Sequence, residues 1–565
     1  MSVSLRSKVR WLLSSFGSLA LVSAVLLSGA VVPGAYAQTT AAPTAHAITG
    51  ILTTAGTFDP LNSVTTQDST VPIRSLARGA RPTRPQRSAL TNAAALPQAS
   101  STPLNTTAPG GLMQNFDGTG SRDSAIANFG AEFEPPDQGL CAGNGYVIDP
   151  VNSAYRIFHS DGSLVAGPFN VNALFGEGPR QYTSDPRCFY DKATNTWFAS
   201  ILFINAAGTK GYTDISVNTS GDPTTPWTFY HLDATDDGSG GTPNHPGCPC
   251  LGDQPLLGID QYNLYISTNE FSILGPEFNG AQIYAISKAD LVAKARSLHF
   301  VHFDNLSVDG TVAASVQPAL TNDSNAAAEY FLSSLDPAGT GDHRVGVWAM
   351  TNRPVVAQGG TPTLSNLTIS AESYGIPPAA TQQGSTSLID SGDDRMQQTQ
   401  FIRGEIWGAL GTIVTISGDS TPRAGLAWFR VQPRLNAQLK LASAQVVNQG
   451  YVASAGNSLL YPAIQSSARG TTALVFAATG STMFPSAAYA AMTSGQTAFG
   501  SINIAAPGTG PYDPNSTRWG DYSFAMLDPS GNSIWMATEY IPALSSQTTD
   551  GLSNWGTRVL QVSTR

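Results

Sequence analysis

The chain is poor in charged residues and lacks the motifs of several large enzyme classes. Of its 565 residues, 12% are Asp, Glu, Lys or Arg. It contains no G-x-S-x-G nucleophile elbow, no H-E-x-x-H zinc motif, no P-loop and no dinucleotide fingerprint. Nothing in the sequence therefore indicates an α/β-hydrolase, a zinc protease of this type or a nucleotide-binding enzyme. The seven histidines are scattered; His299 and His302 are three apart in a strand-like stretch, on opposite faces.

The N-terminus has the pattern of a secretory signal peptide. Arg6, Lys8 and Arg10 form a basic region, an apolar run follows over residues 11–32, and residues 35–37 read A-x-A. We therefore predict a signal peptide over residues 1–37 and a secreted, extracellular protein. An uncleaved membrane anchor is the alternative, because the apolar run reaches spanning length.

Residues 38–110 are rich in Ala, Thr, Ser and Pro, and we expect a disordered linker or pro-segment there. Residues 1–110 hold eight basic and two acidic residues, which leaves 21 basic and 37 acidic residues beyond, a net charge of −16. A surface of that sign repels phosphate backbones, so nucleic acid is not expected as a partner. We expect a monomer with no membrane span after signal removal.

A degenerate unit recurs about every 65 residues from Asp137 onwards. Each copy opens with a polar pair, reaches an aromatic residue about a dozen positions later and closes with a second apolar strand. The openings are Asp137, Asp185, Asp253, Gln317, Asp394, Tyr461 and Asp521, and the aromatics of the five clearest copies are Trp197, Tyr265, Tyr330, Trp407 and Trp535. Such a period without helices predicts an all-β fold, a single seven-bladed β-propeller over residues 111–565. Six or eight blades are the alternatives, and residues 116–133 are expected to complete the last blade.

The openings of the units also predict the site, because the starts of innermost propeller strands face one mouth of the channel. Clustered carboxylates can hydrolyse glycosides when one is held protonated and another stays ionised. The candidate catalytic residues are Asp185, Asp253, Asp394, Asp521, Glu270 and Glu539, the two glutamates being assigned to equivalent places in two units. The candidate substrate-binding residues are Arg187, Arg395, Arg518, Trp519, Tyr522 and Tyr461, with Tyr182 as a further stacking surface.

Two other interpretations of the acidic residues stay open. An Asp at the start of a propeller strand can instead accept hydrogen bonds from backbone amides of the next blade, or simply form a turn. The acidic loop with Asp233, Asp236 and Asp237 could hold Ca²⁺ through oxygen ligands, although its spacing is not that of an EF-hand. No other cofactor is indicated.

The chain has four cysteines, Cys141, Cys188, Cys248 and Cys250. An even number in an exported protein favours disulfides. A Cys248–Cys250 bridge spans only two residues and is disfavoured, so we expect Cys141–Cys188 or Cys188–Cys250 to join adjacent blades. A metal site built from Cys248, Cys250 and His245 is a further alternative.

Several segments resemble a group of secreted bacterial propeller proteins of unassigned function. They are residues 135–140, 184–187, 252–255, 268–271 and 518–523, of which the Trp-Gly-Asp-Tyr-Ser string is the most specific. Residues 191–197 are also distantly similar to the Asp-box (BNR) turn of sialidase-like propellers, S-x-D-x-G-x-T-W, but lack its Ser and Gly. The resemblance implies the propeller fold but no function. From the residues at the unit openings we expect a propeller that binds or cleaves extracellular carbohydrate, as a glycoside hydrolase or as a non-catalytic adhesin.

Overall fold

The computed structural model describes residues 45–61, 96–106, 111–130, 133–336, 339–512, 518–543 and 554–565. The predicted signal peptide lies outside these ranges. Most described residues are in strands. Four strands precede the first repeat, at His46–Phe58 (β1), Gln98–Ala99 (β2), Leu104–Asn105 (β3) and Leu112–Gly120 (β4).

The repeats form consecutive sets of four strands, each strand antiparallel to the one before it. Unit 1 is Cys141–Gly143 (β5), Tyr146–Val151 (β6), Ala154–His159 (β7) and Leu164–Asn170 (β8). Unit 2 is Tyr182–Asp191 (β9), Thr196–Ile204 (β10), Gly211–Asn218 (β11) and Trp227–Asp233 (β12). Unit 3 is Cys250–Ile259 (β13), Asn263–Ser272 (β14), Phe278–Ser287 (β15) and Ser297–Asp304 (β16).

The later units follow the same plan, with two small hairpins between them. The first hairpin is Ser307–Val308 (β17) with Thr311–Val312 (β18), and unit 4 is Gln317–Thr321 (β19), Glu329–Ser334 (β20), Asp342–Thr351 (β21) and Thr363–Tyr374 (β22). The second hairpin is Ala380–Gln382 (β23) with Ser385–Ile389 (β24), and unit 5 is Met396–Ile402 (β25), Glu405–Ile416 (β26), Arg423–Leu435 (β27) and Leu441–Val452 (β28).

The last two units are at the C-terminus. Unit 6 is Asn457–Ser466 (β29), Thr472–Gly480 (β30), Met483–Met492 (β31) and Ile502–Ala506 (β32). Unit 7 is Phe524–Leu527 (β33), Ser533–Tyr540 (β34) and Gly556–Ser563 (β35), and its fourth strand is β4 from the N-terminal side. This pairing agrees with the expectation that residues just before the first repeat complete the last one.

The first strands of neighbouring units contact one another around a common centre. β13 pairs in parallel with β19, and β19 with β25. Gln465 of β29 donates to Gln400 of β25 at 2.9 Å. Gln138, just before β5, donates to the carbonyl of Tyr522, just before β33, at 2.6 Å. These contacts between first strands, with the other strands following outward, are those of a β-propeller.

The buried aromatics of the repeat lie in the second strand of their units and fill the space between neighbouring sheets. Trp197 is 0% exposed and packs against Tyr190 with ring centroids 4.6 Å apart. The other four, which are equally enclosed, are Tyr265, Tyr330, Trp407 and Trp535. Burial of side chains of this size supplies much of the energy that packs one sheet on the next.

Helices are short and lie outside the sheets. They are Ser121–Ala127 (α1) and Lys288–Val292 (α2), with 3₁₀ turns at Val171–Phe175 and Arg353–Gln358. The side chain of Ser287 caps α2 by accepting a hydrogen bond from the amide of Asp290. No helix in the part of the chain that the structure describes is long and apolar enough to cross a membrane.

Strand β1 differs from the expectation of a disordered segment over residues 38–110. It pairs antiparallel with β16 over eight residues and then with β12, so it covers the outer edges of units 2 and 3. Gly50 and Gly56 lie against the rings of Phe300 and Phe229, where a β-carbon would come within 2.4 and 2.6 Å of ring atoms. The amino-acid composition did not predict this strand, because β1 is ordered mainly by backbone pairing with the free edges of two sheets. The proposed domain boundaries stay a prediction.

Two disulfides are present. Cys141 of β5 and Cys188 of β9 join units 1 and 2, which is one of the two pairings expected. Cys248 and Cys250 form the second disulfide, so the expectation against a bridge of two neighbours was wrong, and neither sulfur is a free thiolate for a metal. The two α-carbons of this bridge lie 4.4 Å apart.

Candidate functional site

A backbone turn recurs at the start of most units. The residue that makes it has a φ between +45° and +59°, which non-glycine residues rarely adopt. It is Asp137, Asp185, Gln254, Ser315 or Tyr461 in units 1, 2, 3, 4 and 6, and Gly520 makes a similar turn in unit 7. The repetition shows that this conformation belongs to the architecture of the units.

Asparagines on second strands or just after them hold these turns. Asn152 donates to the carboxylate of Asp137 at 2.6 Å and accepts from the backbone amide of Asp185, in the next unit, at 2.8 Å. Asn269 likewise accepts from the amide of Ser315 at 2.8 Å and donates to Gln254 at 3.3 Å. The link between units is therefore made by asparagine amides, and the carboxylates are not the groups that accept these backbone bonds.

Four carboxylates and two arginines converge beside these turns: Asp137, Asp185, Asp253, Asp521, Arg395 and Arg518. We call them the mouth cluster. Burial, followed by the charge of Asp185, raises the pKa of Asp253 to about 7, and Arg395 offsets part of this effect. Burial together with Asp521 and Asp185 also raises the pKa of Asp137 well above its usual range. The cluster thus contains two carboxyls, Asp137 and Asp253, whose pKa is raised by burial and by neighbouring carboxylates.

The two arginines of the cluster are reached by solvent. Arg395 is 28% exposed and makes a bidentate pair with Asp393 at 2.7 and 2.6 Å. It also donates to Gln254 at 2.5 Å. Arg518 forms a salt bridge with Asp521, and their side chains are 21% and 26% exposed. Together with the half-buried Asp253, these groups form the accessible floor of the cluster.

Three of the predicted substrate-binding side chains are enclosed in the protein. Arg187 is 3% exposed, donates to the carbonyl of Gln138 at 3.2 Å and covers the ring of Tyr522 at 3.6 Å. Trp519 is 0% exposed and packs edge-on against Tyr512. The prediction that Arg187, Trp519 and Tyr522 present surfaces to a ligand was therefore wrong in this structure, because packing between units uses those surfaces.

Tyr461 and Glu539 lie behind the mouth cluster. Tyr461 is 4% exposed, and its ring lies against Gly392 and Gly520. Glu539 is 1% exposed, and burial raises its pKa well above the usual range. A β-carbon at Gly520 would lie 3.2 Å from the Glu539 carboxylate. Of the predicted aromatics, Tyr182 alone is half-buried within this part of the described chain, with Asp185 and Asp253 beside it.

Asp394 does not join the mouth cluster. It is 4% exposed, and burial followed by the charges of Asp336 and Asp393 raises its pKa well above the usual range. Its side chain faces Asp336, whereas the neighbouring Asp393 and Arg395 face the mouth. The predicted catalytic residue Asp394 therefore lies outside the cluster, whereas its neighbour Asp393 pairs with Arg395.

Glu270 also lies elsewhere. Asn269, one residue earlier, holds the turn of the next unit and corresponds to Glu539, so the assumed equivalence of Glu270 and Glu539 was off by one position. Glu270 is 1% exposed and contacts His245 at 2.8 Å and Gln282 at 2.8 Å. His245 was a weak candidate in the sequence, and its grouping with Glu270 has no motif that could have revealed it.

The predicted acidic Ca²⁺ loop does not converge. Asp233 and Asp237 lie 3.5 and 3.6 Å from Lys210, and Asp237 also accepts hydrogen bonds from Ser239. Asp236 turns inward and is 1% exposed, on the same side as His245 and Glu270. The three aspartates therefore do not form one oxygen-ligand site, since alternate side chains of the loop point in different directions.

No protein family matches the sequence of this chain, and no curated protein matches it. Solved structures similar to it include the GH93 α-L-arabinofuranosidase of Fusarium graminearum, at 9% identity over 79% of this chain and 97% of the other, with a TM-score of 0.33. The phage phi92 endosialidase is 8% identical over 82% and 69%, with a TM-score of 0.35. Drosophila Plexin A is 11% identical over 83% and 88%, with a TM-score of 0.33. At this level of similarity no function is transferred from them.

Proposed function

We propose that the protein is a secreted, closed seven-bladed β-propeller that binds and cleaves extracellular carbohydrate at the mouth cluster. Asp253 is the general acid, and Asp521, paired with Arg518, is the ionised carboxylate. The observation that carries the proposal is the raised pKa of Asp253, about 7, beside a carboxylate held in an ion pair. Groups of one type whose environments separate their protonation states are the usual acid–base pair of a glycosidase.

Each accessible group of the cluster has a role in this proposal. Asp253 protonates the glycosidic oxygen as the bond breaks, and Asp521 stabilises the positive charge that develops on the sugar ring. Arg395 and Arg518 donate hydrogen bonds to hydroxyl or carboxylate groups of the sugar. Tyr182 offers an aromatic face to the ring. The net charge of −16 beyond residue 110 favours a neutral sugar chain over a polyanion.

Two variants test the acid–base roles. We expect Asp253→Asn and Asp521→Asn each to lower kcat/KM on a panel of aryl glycosides by on the order of 100-fold or more, because each removes one carboxyl of the pair. Asp394→Asn is the control, since it changes a more deeply buried aspartate outside the cluster, and its activity should stay within a few-fold of the wild type. If Asp253→Asn and Asp521→Asn both turn over substrate as fast as the wild type, the proposal is refuted.

The pH profile gives a second test. A general acid acts when protonated, so activity should fall as the pH rises through about 7, the pKa of Asp253. The residual activity of Asp253→Asn should lack this descending limb. If the descending limb of the pH profile persists unchanged in Asp253→Asn, a group other than Asp253 causes the loss of activity.

A non-catalytic glycan-binding function is the second candidate. It is favoured by the enclosed positions of Arg187, Trp519 and Tyr522, which leave few side chains to distort a substrate. In that case glycan arrays and calorimetry should detect binding without any released sugar, and Asp253→Asn should bind as the wild type does. If the wild type releases reducing ends from a glycan, the enzymatic function is supported and the non-catalytic one is excluded.

A further inference from the structure

We propose that Asp236, His245 and Glu270 form a binding site for one divalent transition-metal ion, with Zn²⁺ as its best-fitting occupant. All three side chains are buried, and one ligand atom from each lies within 4.8 Å of the other two. The residues come from the loop between β12 and β13 and from β14 of unit 3. They are separate from the mouth cluster, so the site is independent of the proposed function.

The imidazole of His245 is oriented as a metal ligand. Its Nε2 lies 3.2 Å from a carboxylate oxygen of Asp304, and its Nδ1 lies 2.8 Å from Glu270 and 3.8 Å from Asp236. In the metal-free protein Nδ1–H donates to Glu270; if a metal replaced that proton, Nε2–H would still donate to Asp304 and the lone pair of Nδ1 would face the other two ligands. A histidine held by a carboxylate on its far nitrogen is the usual arrangement around protein-bound metals.

Glu270 is oriented in the same way. Gln282 donates to one of its oxygens at 2.8 Å, and the side-chain oxygen of Gln282 in turn contacts His302 at 2.9 Å. These neighbours fix the carboxylate from outside the three-residue site. Such outer contacts normally set the direction of a ligand oxygen towards the ion.

Asp236 supplies the independent observation. Its side chain is buried, yet neither carboxylate oxygen has a hydrogen-bond donor among the described residues. An unpartnered buried carboxylate is strongly unfavourable, whereas a coordinated cation compensates it. No Lys or Arg of the described chain pairs with Asp236, Glu270 or Asp304, and the nearby Lys210 is engaged by Asp233 and Asp237.

The donor set selects the type of ion. One imidazole nitrogen with two carboxylates suits Zn²⁺ or a similar transition metal, whereas Ca²⁺ prefers six or more oxygens. Cys248 lies 3.3 Å from Glu270, but its sulfur is in the disulfide with Cys250 and is not a thiolate. A bound ion would fasten the loop of residues 234–249 to unit 3.

Calorimetric titration of the chelator-treated full chain tests the site. We expect one Zn²⁺ per chain and no heat of binding with Ca²⁺. Asp236→Asn should weaken Zn²⁺ binding more than 100-fold, and Asp304→Asn should weaken it by 10- to 100-fold through the orientation of His245. Asp237→Asn is the matched control, because it changes the adjacent half-buried carboxylate, which faces Lys210, and its affinity should equal that of the wild type.

A second measurement separates loss of the site from loss of folding. Without metal, Asp236→Asn should melt at or above the wild-type temperature, because it removes a buried carboxylate that has no hydrogen-bond donor among the described residues. Zn²⁺ should raise the melting temperature of the wild type and of Asp237→Asn but not that of Asp236→Asn. The proposal is overturned if Zn²⁺ binds no tighter to the wild type than to Asp236→Asn, or if the Co²⁺ adduct shows a thiolate-to-metal charge-transfer band.

Discussion

Unit 7 contacts unit 1 through a buried carboxylate, Asp149, and we expect ionisation of this carboxylate to lower the free energy of unfolding. Asp149 of β6 is 0% exposed. One of its oxygens accepts hydrogen bonds from the amide of Thr119 on β4 and the hydroxyl of Thr557 on β35, both at 2.6 Å. The other oxygen has no donor among the described residues. Asp149 therefore joins the strand that completes unit 7 to the first complete unit.

The magnitude follows from the perturbed pKa. Burial raises the pKa of Asp149 from 3.8 to about 6, and the hydrogen bonds from Thr119 and Thr557 offset only part of this effect. A folded-state pKa above the unfolded value means that Asp149 binds its proton more tightly in the folded chain, so its contribution to stability is fully present below pH 3.8 and is lost as the pH rises through 6. At 1.36 kcal/mol per pKa unit, the ionised form costs about 3 kcal/mol, of which about 2 kcal/mol is lost between pH 4 and pH 7.

Asp149→Asn isolates this effect because the amide oxygen can still accept from Thr119 and Thr557 but carries no charge. The wild type should lose about 2 kcal/mol relative to the variant between pH 4 and pH 7. An unfolding entropy of about 2 cal/mol/K per residue, over about 450 residues, makes 1 kcal/mol equal to roughly 1 °C. The melting temperatures of the two proteins should therefore diverge by about 2 °C over that range.

The control is Asp161→Asn, in the exposed turn between β7 and β8. Hydrogen bonds from Ser163 lower the pKa of Asp161, so its stability contribution is present at high pH and lost on acidification, the opposite sign. If the difference between wild type and Asp149→Asn stays flat from pH 4 to pH 7, water reaches Asp149 and the contact between units 7 and 1 is not closed as described.

Two further predictions concern the covalent and N-terminal contacts. Replacing Cys141 and Cys188 by Ser should cost about 4 kcal/mol of unfolding free energy in denaturant titrations, since their sequence separation is 47 residues. The same change at Cys248 and Cys250, which are two residues apart, should cost about 1 kcal/mol. Deleting residues 1–61 should uncover the edges of β12 and β16, and light scattering should then detect association that the full chain does not show.

The architecture could be predicted because it repeats. Each copy of the unit carries an aromatic residue at a similar distance from its opening, and Trp197 and Trp535 both lie where that spacing indicated, in the second strand. Strand periodicity and turn residues were enough to predict the other strands of the repeated units. What repetition could not predict was β1, because its order depends on the two sheet edges that it covers and not on its own composition.

The candidate site could be predicted only in part. Asp185, Asp253 and Asp521 lie together because each stands at a turn that recurs in the units, and their catalytic role stays a prediction. Glu270 and Asp394 were predicted at the mouth, but each lies one residue away from the position that faces it, Asn269 and Asp393. A shift of one residue along a strand reverses the direction of the side chain. The grouping of His245 with Glu270 was not foreseen, because 25 residues of loop and strand separate them and only the folded chain brings them to 2.8 Å.

The arrangement of the mouth cluster supports the proposal that its carboxylates bind a ligand. A device that locked neighbouring units would be needed equally at every junction, and asparagines do that work at two of them. The four carboxylates of the mouth cluster come from units 1, 2, 3 and 7, its arginines come from units 5 and 7, and Asp393 of unit 5 pairs with Arg395. One oxygen of Asp137 has no donor among the described residues, which costs stability. An asymmetric group of buried, mutually repelling charges weakens the fold, and such a group is expected where a site requires it.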